Sequence, residues 1–124
     1  MDLPSTLLDV LSKDGVVAIA TVGPDGPHMV NTWNSYVQAT EDGRLLIPAG
    51  YFHRTETNLA FNDQVLLTCG STKVPGLHGP GTGFLIKGSA ALVATGPDFD
   101  AIKAKFAWAR AVLSVKVESA TQTL

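Results

Sequence analysis

Hydrophobic and polar positions along the chain predict short strands joined by tight turns, with only a few brief helices. Four leucines at helical spacing, Leu3, Leu7, Leu8 and Leu11, predict a short amphipathic helix over residues 4–14. Runs rich in valine, isoleucine, alanine and threonine, bounded by glycine, proline, asparagine and aspartate, predict strands. These strands cover residues 15–22, 27–36, 44–49, 64–71, 84–95 and 111–118.

The segments between these strands contain helix and loop signals. Thr55 can cap a second short helix over residues 56–62, and Pro97 suits the first turn of a third that runs to about Trp108. Glycines and prolines crowd residues 73–83, which predicts an irregular loop. Gly88, inside the fifth strand, predicts a β-bulge.

The order of these elements predicts the fold class. Six strands with short connections and no long crossover helix favour a mainly β, six-stranded antiparallel barrel with short flanking helices over an α/β layered fold. At 124 residues the chain fits one domain, residues 1–124, that can bury a real core.

One strand, residues 30–36, departs from the expected alternation. Its sequence, Val-Asn-Thr-Trp-Asn-Ser-Tyr, mixes amides, hydroxyls and aromatic rings on both predicted faces. Such a mixture suits a strand that lines a site for a flat ligand with polar edges, since rings supply stacking area and amides supply placed hydrogen bonds. An edge strand with a solvent-exposed outer face explains this mixture of residues equally well.

Composition and charge narrow the classes of partner. Hydrophobic residues make up 45% of the chain and charged residues only 16%, so we expect a second subunit to cover some apolar surface and favour a homodimer. The net charge of -2 and the scattered nine Lys and Arg residues give no footprint for nucleic acid. No signal-like or membrane-spanning apolar stretch is seen, so we expect a cytoplasmic protein.

Reactive residue types form no recognisable catalytic or metal-binding arrangement in the sequence. Cys69 lies in an apolar run and is interpreted as a buried hydrophobe. The three histidines lack metal-ligand spacing, and no supported Ser-His-Asp arrangement is present. The glycine-rich segment 79–83 is followed by a strand rather than a helix, which excludes a P-loop. We therefore predict no catalytic residue and no metal site.

The segment His53-Arg54-Thr55 is a candidate phosphate site. It combines a cationic fork, a hydroxyl and the free N–H groups of a predicted helix start, which is how proteins hold phosphate. A capped helix with a solvated arginine is the alternative, and from this segment alone it is favoured.

The order of three segments, 26–36, 53–55 and 62–68, resembles that of the split-barrel flavin-binding proteins related to pyridoxamine phosphate oxidase. The likeness is greatest to small, single-domain FMN-binding proteins of anaerobic bacteria. It extends over nearly the whole chain, including residues 79–84, 105–110 and 122–124. It implies a six-stranded split barrel that dimerises, with one FMN per subunit near the interface, completed by residues of the partner.

The resemblance also implies which residues bind the cofactor. Asn31, Thr32, Trp33, Asn34, Ser35 and Tyr36 then fall on the flavin-lining strand. Pro48, Ala49, Gly50, His53, Arg54, Thr55 and Asn58 fall around the ring edge, ribityl chain and phosphate. Trp108 and Leu124 fall beside the ring.

Three functions remain open for a flavin holder of this kind. With no evident acid, base or nucleophile, the leading hypothesis is a non-covalent FMN electron carrier that exchanges electrons with an unknown redox partner protein. The alternatives are a small NAD(P)H-dependent flavin reductase, and a flavin storage or interaction module.

Overall fold

The computed structural model describes residues 2–124, which form three helices, a 3₁₀ turn and seven strands. The elements, in chain order, are α1 (Ser5–Leu11), β1 (Val16–Gly23), β2 (Gly26–Trp33), the 3₁₀ turn (Asn34–Tyr36), β3 (Gln38–Ala39), β4 (Arg44–Ala49), α2 (His53–Phe61), β5 (Gln64–Pro75), β6 (Pro80–Val93), α3 (Pro97–Lys105) and β7 (Ala111–Gln122).

All seven strands belong to one antiparallel sheet with the order β2-β1-β5-β6-β7-β4-β3. Val17 and Ile19 of β1 share a single buried cluster with Leu45 and Ile47 of β4, although three strands separate β1 from β4. The sheet therefore curls around its core. Within residues 2–124 its end strands, β2 and β3, do not pair with each other, so the barrel is split. The predicted mainly β split barrel is confirmed, and two-residue β3 adds a seventh strand.

Alternation along the long strands divides the sheet into a buried and an exposed face. The largest wholly buried side chains of the barrel include Ile19, Leu67, Ile86 and Leu113, and each such residue contributes about 1.5–3 kcal/mol. Helix α1 adds Leu7 and Val10 to this core, while α3 packs through Ile102 in a separate small cluster with residues of β4 and β7.

A bulge lies opposite the predicted position Gly88, but its extra residue, Glu118, belongs to β7 and not to the strand that contains Gly88. The register between β6 and β7 shifts between Lys87 and Gly88. A Cβ at position 88 would lie 2.2 Å from the Lys116 carbonyl oxygen, so only glycine lets the two backbones approach at this point.

The strand predicted over residues 27–36 ends at Trp33, and its last three residues form the 3₁₀ turn. Asn34 causes this change. Its backbone N–H donates to the Gly15 carbonyl, and its buried side-chain amide lies 3.1–3.2 Å from the carbonyls of Val10, Lys13 and Gly70. These bonds draw Asn34 into the core and turn the chain.

Helix α2 starts at His53, three residues before the predicted start, and Thr55 is not its cap. The flanking residue is Phe52, whose φ of 56° turns the chain and whose carbonyl accepts the Glu56 N–H. Thr55 thus lies inside the first turn, because the left-handed Phe52 supplies the turn that a capping side chain was expected to mark.

Residues 73–83 were expected to be irregular, but most of them extend β5 and β6. The ladder continues through Ser71 opposite Thr82 to Pro75 opposite Pro80, with an irregular register between these pairs. Helix α3 ends at Lys105 rather than near Trp108, and β7 runs beyond Glu118 to Gln122 because it pairs with the start of β6. Pairing with a neighbouring strand thus overrides the local turn signals.

The helices over residues 2–124 include none that is long and apolar enough to cross a bilayer.

Candidate functional site

A cavity of about 220 Å³ opens where β2 and β4 end. Its lining residues come from four parts of the chain: β2, the 3₁₀ turn, the end of β4 with the following loop, and the segment after α3. They are Asn31, Thr32, Trp33, Tyr36, Pro48, Gly50, Tyr51, Phe52 and Trp108. Seven of these nine were predicted from the sequence as ligand-binding residues.

Two tryptophans dominate this cavity. Trp33 is 51% exposed and Trp108 is 52% exposed, which is unusual for side chains that normally bury most of their surface in a core. Half-exposed indoles beside Asn31 and Thr32 provide flat apolar area and hydrogen-bonding groups in one place, the combination that binds small aromatic ligands.

Trp108 is held in place by an aromatic cluster. The Tyr36 ring lies 5.2 Å from Phe106 and 5.6 Å from Trp108, and Phe106 lies 5.9 Å from Trp108, measured between centroids with tilted rings. Such pairs contribute about 0.5–1.5 kcal/mol each beyond their buried area. Because the 3₁₀ turn moves Tyr36 out of the strand, the ring reaches this cluster.

Gly50 lets the Trp108 indole lie against the backbone at the end of β4. A Cβ at this position would lie 3.2 Å from Trp108 Cε3 and 3.3 Å from Cζ3, tighter than ordinary van der Waals contact. A side chain at position 50 would push the indole outward, so this glycine helps to set the shape of the cavity.

The start of α2 lies directly after the loop residues that line the cavity. His53 and Arg54 are exposed there, and Arg54 forms no ion pair with any other residue in the range 2–124. Thr55 is only 1% exposed, and its Oγ is buried without a hydrogen-bond partner among the described residues. A buried hydroxyl without a partner is rare, because it loses its bonds to water.

Eight predicted residues do not line this cavity: His53, Arg54 and Thr55 at the start of α2, Leu124, and Asn34, Ser35, Ala49 and Asn58. Asn34 anchors the core as described above, Ala49 is buried in β4, and Ser35 is exposed with its carbonyl accepting the Gln38 side-chain amide. Asn58 is buried, and its amide donates to the Thr21 hydroxyl over 3.1 Å. Within one chain, both asparagine side chains support the fold.

Leu124 lies at a second and larger cavity of about 700 Å³. The lining residues of this cavity are Asp14, Gly15, Gly70, Ser71, Thr72, His78, Gly79, Pro80, Gly81, Thr82 and Leu124. The Leu124 carbonyl accepts the Thr82 hydroxyl over 2.7 Å, while its side chain stays 60% exposed. Within one chain, therefore, Leu124 does not reach the tryptophans.

Sequence reasoning missed Tyr51, Phe52 and Phe106 as neighbours of the site. Tyr51 and Phe52 directly follow the predicted Gly50, so their position beside a broken strand end was the available signal. The Phe106 contact depends on where α3 ends, which the local sequence did not show.

Among residues 2–124, the pKa shifts of Cys69, Asp42 and Arg44 do not indicate an activated nucleophile. Burial raises the pKa of the Cys69 thiol to about 11, so the thiol is neutral at physiological pH. The Thr40 hydroxyl and the Arg44 guanidinium lower the pKa of Asp42, and Asp98 and Asp42 together raise the pKa of Arg44. Asp42, Asp98 and Arg44 line neither cavity, and Arg44 forms ion pairs with both carboxylates on the barrel.

Comparison with known proteins gives one close relative. The FMN-binding protein of Nitratidesulfovibrio vulgaris (strain DSM 19637 / Miyazaki F) is 57% identical over 122 residues, which cover 98% of this chain and 99% of that protein. Identity at this level over the full length of both chains means that they share one fold and a common ancestor.

Solved structures at lower identity share the same fold. HupZ of Group A Streptococcus superposes with a TM-score of 0.79 at 17% identity, covering 98% of this chain and 94% of HupZ. An FMN-binding protein from Syntrophomonas wolfei superposes with a TM-score of 0.68 at 15% identity, covering 87% of this chain and 76% of that protein.

The family itself follows from the sequence match. A model of the pyridoxamine 5'-phosphate oxidase family matches residues 3–123, almost the whole chain, and the split barrel described above agrees with it. The chain therefore belongs to the pyridoxamine 5'-phosphate oxidase family.

Proposed function

We propose that this protein binds FMN non-covalently and carries electrons between other redox proteins. The observation that supports this most is the arrangement of two half-exposed tryptophans in one cavity whose lining extends to Phe52, the residue directly before α2. The relative that is 57% identical is named an FMN-binding protein, which agrees with this assignment.

The ring of the flavin fits the aromatic end of the cavity. Trp33 and Trp108 offer flat surface to the isoalloxazine, and Asn31 and Thr32 offer an amide and a hydroxyl to its polar edge. Bound FMN accepts one or two electrons, and the protein contributes binding and electrostatics.

The phosphate fits the start of α2. The first N–H groups of a helix have no intrahelical partners and attract anions. Arg54 adds a charged fork that forms no ion pair within residues 2–124. The Thr55 hydroxyl, one of two buried side-chain atoms without a partner in that range, is a polar atom that the phosphate would satisfy. His53 and Arg54 are exposed and thus accessible to the anion.

We also propose that the working form is a homodimer. One chain offers a cavity of about 220 Å³ at the tryptophans, smaller than the roughly 300 to 1,000 Å³ typical of small-molecule sites. A second subunit would enlarge and close it. In this proposal Leu124 of one chain covers the flavin bound to the other, which gives its exposed side chain burial of about 1.5–3 kcal/mol.

The surface for this dimer is the outer face of β1, β2 and β5, where large apolar side chains are exposed. Four of them, Val16, Val22, Met29 and Leu66, lie on paired strands together with the small Ala18 and Ala20. Val16 pairs with Trp33, so this face is continuous with the cavity. A partner seated on it would place the flavin near the interface.

The carrier role is favoured over catalysis by the side chains at the cavity. Its lining, as described for residues 2–124, consists of Asn, Thr, Trp, Tyr, Pro, Gly and Phe, so no carboxylate, imidazole, amine or thiol is placed to move a proton at neutral pH. Electron transfer to and from a flavin needs no such group.

A flavin reductase is the second candidate. It is favoured by the half-exposed tryptophans, which leave the cavity open to a second planar ligand such as nicotinamide.

The homodimer, the unknown redox partner and the cytoplasmic location stay predictions.

The experiment that separates the two functions is reduction by pyridine nucleotide. The flavin-loaded protein is mixed anaerobically with NADH or NADPH, and its visible absorbance is followed. The carrier hypothesis predicts that bleaching is slow and independent of nucleotide concentration, whereas dithionite bleaches the protein fully. Rapid, saturable bleaching by either nucleotide would establish the reductase instead.

A further inference from the structure

Arg110, the residue just before β7, binds the loop between β4 and α2. Its Nε donates to the carbonyls of Gly50 and Tyr51, both at 3.0 Å. Its Nη2 donates to the Tyr51 carbonyl and, over 3.2 Å, to Glu56 Oε1 in the first turn of α2. Its backbone N–H donates to the Ala49 carbonyl over 2.9 Å. One residue thus contacts the loop before and after its turn.

The loop that Arg110 binds has an unfavourable conformation. Phe52, between Tyr51 and α2, has a φ of 56°, a region that bulky residues rarely adopt and that is costly unless surrounding contacts enforce it. Arg110 supplies such contacts, because it binds the two carbonyls directly before Phe52 and the Glu56 carboxylate in the first turn of the helix that follows it.

We propose that Arg110 is the residue that positions the phosphate-binding start of α2, an inference that rests on the FMN-binding function proposed above. By holding Gly50 and Tyr51, it fixes the left-handed turn at Phe52. That turn sets the direction in which the first N–H groups of α2 and the Thr55 hydroxyl face.

Arg110 acts through the loop and not as the cation that binds the phosphate. Its Nε and Nη2 groups already face two carbonyls, and its charge is paired with Glu56. Arg54 is the arginine in this region whose guanidinium forms no ion pair within the described chain. The fork geometry of Arg110 is thus what matters, and lysine, a point charge, cannot reproduce it.

The test compares FMN with riboflavin, which lacks the phosphate. Kd values for both are measured on the full chain after removal of bound flavin, for the unmodified protein, Arg110→Met and Arg110→Lys. The ratio of the riboflavin Kd to the FMN Kd reports the phosphate contribution alone, because general destabilisation affects both ligands equally. Arg44→Lys is the matched control, since Arg44 is also ion-paired and its side chain is 30% exposed against 32% for Arg110.

We expect both Arg110 variants to lower this ratio by about tenfold or more, the equivalent of one charge-assisted hydrogen bond, and Arg44→Lys to leave it unchanged. An unchanged ratio in both Arg110 variants would overturn the inference. The inference would also be overturned if Arg110→Lys kept the ratio of the unmodified protein while Arg110→Met lowered it, because Arg110 would then act as a charge on the phosphate. If the unmodified protein fails to prefer FMN over riboflavin, the proposed phosphate site itself fails, independently of Arg110.

Discussion

At the scale of single residues, Trp33 and Trp108 give the cavity most of its flat aromatic surface. Each leaves about half of its surface uncovered, and Trp108 is supported from behind by Tyr36 and Phe106. Half-exposed rings are suited to stacking on a planar ligand rather than to filling a core. The two indoles are therefore the residues at which the proposed flavin should be most sensitive to substitution.

Trp33 should quench the emission of bound FMN. An indole in contact with an excited flavin donates an electron to it, so the holoprotein is expected to be almost non-fluorescent. Trp33→Phe should restore emission while circular dichroism shows an intact fold, because the side chain is half-exposed. Trp108→Phe is the companion variant that measures the residual quenching. Bright emission from the unmodified holoprotein would contradict the placement of these rings beside the flavin.

Cys69 should be unreactive in the folded protein. Its thiol is buried and has a pKa of about 11, so thiol reagents at pH 8 should label it only after denaturation. Because the unfolded thiol ionises near its ordinary pKa of 9.0, the stabilising contribution of the neutral thiol should be lost as pH rises from about 9 to about 11. Fast labelling of native protein at pH 8 would show that β5 opens readily.

Sequence reasoning at the residue scale identified most of the tryptophan cavity, because aromatics and amides in one strand are an unusual local signal. It could not show that Asn34 and Asn58 point into the fold within one chain. Their roles depend on carbonyl and hydroxyl partners between 21 and 37 residues away, and no local pattern encodes such partners.

At the scale of elements, α2 connects the cavity to the charged surface. Its start is set by the loop after β4 and by Phe52, and its first turn contains Arg54 and Thr55. A helix of nine residues with free N–H groups at this end favours an anion there.

Arg54→Ala should therefore weaken the binding of FMN more than that of riboflavin. Charge-assisted hydrogen bonds to phosphate are about twice as strong as neutral ones, so we expect the preference for FMN to fall by about tenfold or more. Isothermal titration of both ligands measures this preference. Arg54→Lys should keep part of it, as it retains the charge without the fork. Equal losses of affinity for FMN and riboflavin would show that Arg54 does not bind the phosphate.

Local patterns predicted the elements well where turn residues bound a strand, and less well where contacts with residues distant in sequence decide. The bounds of β4 match the prediction in full, since turns flank it on both sides. The 3₁₀ turn and the first turn of α2 were not predicted, because Asn34 bonds to Gly15 and the left-handed Phe52 replaces a side-chain cap. The segment 73–83 was misjudged because the β5–β6 ladder overrides its glycines and prolines.

At the scale of the whole molecule, the apolar outer face next to the cavity argues for a second subunit. Met29→Glu should disrupt the dimer, because it buries a charge in that interface. Phe61→Glu is the matched control, since Phe61 is an equally exposed apolar residue at the far end of α2. Sedimentation at micromolar concentration measures the mass. A monomeric unmodified protein, or a Met29→Glu variant that stays dimeric, would contradict this face as the interface.

Leu124→Ala should weaken the binding of FMN by about tenfold, because it removes the apolar contact proposed across the dimer. The substitution keeps the backbone carbonyl of residue 124, which accepts the Thr82 hydroxyl, so the thermal midpoint of the flavin-free protein should not change. Titration with FMN, followed by the shift of its visible spectrum, gives the affinity. An unaltered Kd would mean that Leu124 does not reach the partner's flavin.

The identity of the molecule released from the purified protein tests directly whether the tryptophan cavity and the start of α2 together hold FMN. The protein is isolated without added flavin and denatured, and the supernatant is analysed by liquid chromatography and mass spectrometry against the protein concentration. We expect FMN, approaching one molecule per chain after saturation with added FMN. Release of a different chromophore, together with no binding of added FMN, would contradict this expectation.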